Sequence, residues 1–540
     1  MPRLALLLFC AAYVIPGVFG RGPWKSADIT AFGYMVNIAQ GRTGWLAPTV
    51  GGLPADAALL PYWIGAIFIK AFGGWLDPAV AARIPFALLL VAALVLTWYG
   101  TYHLARTAAA QPLPFAFGGE ANPVDYARAI ADGALLALVA SLGLLQLGHE
   151  TTPELAQLAS VALFVYALAA SSTPGWRAKT ALLISLPALA ASGAPSIALG
   201  LGLVGAAVCQ FSGDAQVRRF MPWVGGAALL GVFTATLIDA WGWRVGLAPV
   251  GASQVWEVLR LFAWFMWPAW LLALWTVWRW RGHLSDRHIS LPLGCVVVSL
   301  LASIVMGGSE RALMLVLPPL AMLAAFALPT LQRSTAAAID LFSVGFFSIC
   351  AIVIWVIYAS MQTGVPAQPA INIARLARGF VPAFSLYAFV PAVLGTLAWL
   401  WLVKWRTGRN RHPLWKSLVL PASGVALCWL LVMTLLLPPL DVARGYRLQV
   451  ERIVKQVPKR GCVAAPGMTR PQVVALEYLG GLHVDAATSI AGTRCDYLLQ
   501  NETRESRRAP GAGWQLLARE RRNNSDDEII AVYRRRKSGP

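Results

Sequence analysis

The sequence predicts an α-helical polytopic membrane protein, about thirteen transmembrane helices followed by a small C-terminal α/β unit. Three observations carry that reading. Only 13% of the 540 residues are charged and 58% are hydrophobic, whereas a soluble domain has about a quarter of its residues charged. So little charge cannot cover a water-facing surface, which makes lipid the solvent for most of the chain. Apolar runs of about 20 residues recur, each long enough to cross a ~30 Å hydrocarbon core. The stretch 438–540 breaks this pattern and is polar, basic and punctuated by short apolar runs.

The spans read as 4–20, 84–105, 129–147, 155–172, 178–192, 195–211, 220–240, 258–280, 290–307, 312–329, 338–360, 383–404 and 415–437. The pair flanking Gly193-Ala194-Pro195 has an alternative: a single kinked helix there would leave twelve spans and move the C-terminus across the membrane. Lys and Arg are held on the cytoplasmic side of short loops, and that bias favours thirteen. With the N-terminus inside, the inner loops carry Arg177 and Lys179, Arg218 and Arg219, then Arg279, Arg281 and Arg287. The last inner loop carries Lys404, Arg406, Arg409, Arg411 and Lys416. The opposite loops, His149-Glu150-Thr151-Thr152 and Ser192-Gly193-Ala194, have no basic residue. Thirteen spans place both the long loop 21–83 and the C-terminal unit outside. The net charge of +19 is then spread over membrane flanks and the tail, with no nucleic-acid partner implied.

The first span reads as retained, because only Arg3 makes its basic end and Gly17-Val18-Phe19-Gly20 is a poor cleavage site; a cleaved signal peptide is the alternative. The domain organisation is thus a membrane domain over 1–437 and an outer soluble domain over 438–540. Within the latter, residues 461–465, 496–499, 514–517 and 529–533 read as strands and 470–479 as a helix. Cys10, Cys209, Cys295, Cys350 and Cys428 lie in apolar runs and read as small hydrophobes. Cys462 and Cys495 form either a disulfide, in an oxidising compartment, or two reduced thiols in a small core. No Cys/His spacing implies a metal site or cofactor.

The loop 21–83 is the segment richest in possible chemistry. Residues 27–39 and 59–72 read as helices lying in the membrane interface. A lone carboxylate, Asp28, heads the first, and reads either as a helix cap or as a functional group. The run from Asp28 through Trp45-Leu46-Ala47-Pro48, Gly52-Leu53-Pro54 and Pro61-Tyr62-Trp63 to Phe72-Gly73 resembles the first outer loop of family 39 glycosyltransferases. That family includes lipid A aminoarabinose transferases and protein O-mannosyltransferases. Trp264-Phe265-Met266-Trp267-Pro268-Ala269-Trp270, and Ser309-Glu310-Arg311 with Leu317-Pro318-Pro319-Leu320, are similar to further stretches of its bacterial members. The chain departs from the pattern where Ile29 follows Asp28 and where 55–60 replaces a Glu-Lys-Pro-Pro stretch.

The resemblance implies a type C glycosyltransferase-like fold in a bacterial inner membrane, and a polyprenyl-phosphate-linked sugar as donor. The acceptor would be an envelope lipid, glycan or protein met at the outer face, among membrane lipids. By that analogy Asp28 would take the acceptor's proton. The departing lipid phosphate needs fixed positive charge, for which the planar fork of arginine is suited. Arg311 and Arg244 are the leading candidates, with Arg375 and Arg378 better read as interfacial anchors. Glu310, Glu150 and Asp56 are the remaining substrate-binding candidates, and Glu154 is a neighbouring alternative to Glu150. No Asp-x-Asp pair occurs in the chain, which suits a lipid donor better than a metal-bound nucleotide sugar.

Other patterns carry blander readings. Gly200-x-Gly202-x-x-Gly205 sits in an apolar run and reads as close helix packing. Asp239 and Asp340 fall at span ends. The arginine-rich tail is a solvated face, or else a contact with anionic lipid. A solute or lipid transporter, and a catalytically degenerate scaffold, are the alternatives to a transferase.

Overall fold

The computed structural model describes residues 3–24, 26–56, 58–112, 122–242, 252–407, 416–458, 462–502, 510–511, 513–522 and 528–536. Arg244, Arg409, Arg411 and much of the basic tail lie outside the described residues.

Each expected span has a helical counterpart, and proline or glycine sets many of the boundaries. The segment 21–83 follows α1 (Arg3–Val14) and holds α2 (Ala27–Ala39) and α3 (Leu59–Phe72). Then come α4 (Pro78–Ala105), α5 (Pro123–Ala140), α6 (Leu142–Leu147), α7 (Pro153–Ala169), α8 (Trp176–Ala191) and α9 (Pro195–Phe211). A short α10 (Ala215–Arg218) leads to α11 (Met221–Leu237), α12 (Ala252–Phe265), α13 (Ala269–Arg279), α14 (Arg287–Val305), α15 (Glu310–Leu313) and α16 (Leu317–Ala327). The long α17 (Arg333–Thr363) is followed by α18 (Ala367–Leu376), α19 (Leu386–Thr407), α20 (Lys416–Leu435), α21 (Leu437–Arg444) and α22 (Arg447–Val454).

Among the described residues, eight helices are long and apolar enough to cross a membrane, or nine with one bent pair. The chain is an integral membrane protein. The remaining expected spans are short, as α1 is, or carry charge, as α5 does with Asp125, Arg128 and Asp132. The pair α8/α9 is two helices. Ala194 N–H bonds to Leu189 O and Gly193 N–H to Ala190 O, with Gly193 at φ 87°; this is a glycine-terminated Schellman stop. Conversely, the single span expected over 258–280 is α12 and α13 bent by 92°. Pro268 has no N–H to continue the helix and breaks it there. The basic flanks of several spans gather at one end: Arg287 donates to Ser171 and Ser172 after α7, and Lys179 lies over the Trp223 ring. Asp340 lies within α17 and pairs with Arg406 at 2.6 Å, and Asp239 is in the turn after α11. Gly200 and Gly205 of α9 approach Val298, Leu168 and Phe164 so closely that a Cβ would lie within 2.8–3.1 Å of them. The glycine pattern is therefore helix packing.

The C-terminal unit has a five-stranded sheet, order β4-β3-β5-β7-β6. The strands are β3 (Cys462–Ala464), β4 (His483–Asp485), β5 (Tyr497–Glu502), β6 (Trp514–Arg521) and β7 (Ile529–Arg535), with α23 (Arg470–Tyr478) between the first two. β3 runs parallel to both its neighbours, and β5, β7 and β6 are antiparallel. Edge strand β4 is too short and polar to read from sequence. Cys462 and Cys495 are joined by a disulfide.

This unit does not stand apart from the outer loop. A two-stranded hairpin, β1 (Thr49–Val50) and β2 (Leu53–Pro54), turns at Gly51 and Gly52 with φ of 55° and 79°, angles that favour glycine. Gly51 O accepts from Ala486 N beside β4, and Glu477 of α23 accepts from Gly51 N–H and the Asn37 side chain. Phe32 meets Tyr478 edge-on at 4.7 Å. Expected to lie in the membrane interface, α2 is instead enclosed between α3 and α23, with nearly every residue buried. The contact depends on Gly33, where a Cβ would lie 2.3 Å from Val474. Gly33→Val is therefore expected to cost about 1–3 kcal/mol by overpacking and to loosen the C-terminal unit. Faster proteolysis of that unit than in wild type is the check; equal rates would mean that the contact is not under strain.

Candidate active site

Asp28 sits in the first turn of α2, yet its bonds are not those of a cap for that helix. Oδ1 accepts from Thr151 N–H at 2.8 Å and Thr151 Oγ1 at 2.7 Å. Oδ2 accepts from Arg21 Nη1 at 2.8 Å and Trp24 N–H at 3.0 Å. The carboxylate is 1% exposed. Burial alone would raise its pKa, but the guanidiniums of Arg21 and Arg83 and the two backbone donors outweigh burial and hold it below the ordinary range. Arg21 is fixed in turn by the carbonyls of Gly17 and His149, and Arg83 donates to Arg21 O. Asp28, the base expected by analogy, is thus enclosed, and both its oxygens accept hydrogen bonds.

Thr151 ties this cluster to its neighbour. Glu150 accepts from Gln146 at 2.9 Å and from Arg311 Nη2 at 2.7 Å, and Arg311 Nη1 stands 3.8 Å from Glu154. Burial raises the Glu150 pKa, the Asp28 charge pushes the same way, and Arg311 opposes both. Arg311 Nη1 is itself buried and makes no hydrogen bond.

Two clefts meet at Arg311 and Glu154. One, of about 580 Å³, is the more polar of the two and lies under the C-terminal unit, with Ser26, Asp56, Tyr62, Thr469 and Arg470 on its walls. The other, of about 460 Å³, runs between α9 and α14 and is lined by Ile197, Gly200, Val298, Leu301, Val305 and Met306. Arg311 and Glu154 thus stand on the walls of both an apolar cleft between membrane helices and a more polar one.

The sequence-derived candidates separate accordingly. Arg311, Glu150 and Asp56 come together at or beside the polar cleft; Asp56 lies 4.0 Å from Arg470. Glu310 is exposed at the start of α15, and Arg375 and Arg378 are exposed on and just after α18. Glu154, an alternative to Glu150, lines both clefts. Sequence reasoning missed Arg21, Arg83, Thr151 and Arg470. A signal existed for the first two: they are basic residues on the side where the charge bias predicts few. Arg470 had none, since only folding brings it to the cleft.

These features define a class: an integral membrane protein with the type C membrane glycosyltransferase fold. Two solved structures are similar over nearly the whole chain. One is ArnT from Cupriavidus metallidurans bound to undecaprenyl phosphate, at TM-score 0.61 and 12% identity, covering 98% of this chain and 96% of that one. The other is the same protein in the apo state, at TM-score 0.63 and 12% identity, covering 98% of both chains. Neither a protein-family model nor a curated protein sequence matches the chain.

Proposed function

We propose that this protein transfers a sugar from a polyprenyl-phosphate donor to an envelope lipid, glycan or protein at the outer face of a bacterial inner membrane. The observation that carries the reading is the junction of the apolar and polar clefts at Arg311. A polyprenyl chain suits the α9/α14 cleft, its phosphate suits the Nη1 of Arg311, which makes no hydrogen bond, and its sugar suits the polar chamber. The bound undecaprenyl phosphate of the similar ArnT structure supports the same donor class.

Attack on the anomeric carbon breaks its bond to the phosphate oxygen, and the pair leaves on the phosphate, whose charge Arg311 stabilises. A base must take the acceptor's proton. Glu154, which lines the chamber, is the group we assign to that step. Asp28 we assign a positioning role: it holds Thr151, and so the Glu150 that orients Arg311. In this reading the N-terminus is cytoplasmic, and residues 438–540 form an outer domain contributing Arg470 to the chamber.

The test is transfer from a polyprenyl-phosphate sugar in proteoliposomes, with products identified by mass spectrometry. Glu154→Gln is expected to lower the rate about 10²–10⁴-fold with donor binding retained. Full activity in that variant would remove Glu154 as base. An absence of transfer by wild type to any envelope acceptor, with solute movement instead, would favour a transporter.

A further inference from the structure

A third cleft, of about 480 Å³, shares Ser26 with the polar chamber. Its walls include Trp24, Gln146, Leu440, Arg444 and Arg522. We propose that this cleft is a separate binding site for a phosphate group, held between Arg444 and Arg522. The assignment goes beyond the transferase reading and does not depend on it.

The two arginines come from distant parts of the chain. Arg444 ends α21, and its guanidinium stacks over the Trp24 ring at 5.0 Å. Among the described residues it makes no ion pair. The nearest acid on its own helix, Asp441, is engaged elsewhere, accepting from Gly22 N–H and Trp24 Nε1. Arg522 follows β6, and its side chain is only 8% exposed. Its Nε lies 2.6 Å from a Glu528 carboxylate and its guanidinium lies over the Tyr446 ring. Its Nη1 is buried and has no hydrogen-bond partner among the described residues.

A buried guanidinium N–H without an acceptor costs folding free energy, which a ligand oxygen would recover. Glu528 pairs with Arg522 at 2.6 Å, while the Arg444 side chain stays exposed at the cleft wall. Two planar donors entering from different walls match a phosphate, which presents oxygens in several directions, better than a single flat carboxylate. The site also borders the catalytic machinery. Trp24 donates its backbone N–H to Asp28, and Gln146 donates to the Glu150 that holds Arg311. The phosphate has two possible sources, an anionic phospholipid headgroup or a soluble phosphorylated compound.

Calorimetric titration of inorganic pyrophosphate into the full chain, in phosphatidylcholine nanodiscs at low salt, tests the assignment. An Arg311→Gln background that also carries Arg470→Gln removes the two competing cations of the polar chamber. Saturable binding is expected there, weakened about tenfold or more when Arg444→Gln is added. Arg522→Gln should act likewise. Arg444 is exposed, so its variant carries the test should the Arg522 variant fail to fold. Phosphatidylglycerol in the nanodisc separates the sources: competition with pyrophosphate assigns the site to lipid headgroups, and unchanged affinity assigns it to a soluble phosphate. No saturable binding in that background, or binding indifferent to Arg444→Gln, would overturn the proposal.

Discussion

Arg311→Ala should lower sugar transfer about 10²–10³-fold, the loss typical of removing one donor to a developing negative charge. Arg311 is the one cation that lines both the apolar and the polar cleft. In the proposed reading, a phosphate carried by a lipid in the α9/α14 cleft would meet this group. Glu150 holds the guanidinium through Nη2, leaving Nη1 directed at neither a carbonyl nor a close carboxylate. Arg311→Lys keeps the charge but loses the fork, since lysine presents a compact, rotating ammonium, and an intermediate rate is expected. Initial rates in proteoliposomes, at matched protein levels, are the measurement. A rate in Arg311→Ala within tenfold of wild type would place the phosphate elsewhere.

Asp28→Ala is expected to produce the largest loss of stability, about 3–5 kcal/mol, because it leaves Arg21 buried without its counter-charge. The side chains of the pair are 2% and 1% exposed. The loss also frees Thr151, and with it the loop that sets Glu150 and Arg311. The pH dependence follows from the depressed pKa of Asp28. Its contribution is fully present above the unfolded carboxyl value of about 3.9, and is lost as pH falls through the lower folded value. Thermal unfolding in detergent across that range should show the acid-side decline in wild type and not in the variant. Kinetics separate positioning from proton transfer. Glu154→Gln should lose rate at wild-type stability, whereas Asp28→Asn should lose rate and stability together. A rate loss in Asp28→Asn at wild-type stability would return the base role to Asp28.

How much of this could be read in advance varies with the range of the interaction. The helices over 27–39 and 59–72 were legible because hydropathy and turn residues act locally, and the same holds for β3, β5 and α23. Their burial was not. Residues 27–39 have the apolar character of an interfacial helix, and nothing within them announces that Val474 will lie against Gly33. The bend at Pro268 was locally written, but an apolar run on both sides disguised it as one span. Asp28 was recognisable as a singular carboxylate, while its occupancy depended on Thr151, 123 positions away.

The sequence by itself determined that the chain lives in a membrane, roughly where it crosses, and that Arg311 and Asp28 are unusual charges for their surroundings. Those properties follow from transfer free energies, which are nearly additive along the chain. Only the tertiary structure decided that Asp28 is sealed, that Glu154 and Arg470 reach the chamber, and that two clefts meet at Arg311. These are questions of which distant groups desolvate one another. A charge's role depends on the partners and solvent left to it after packing, and no local pattern encodes that.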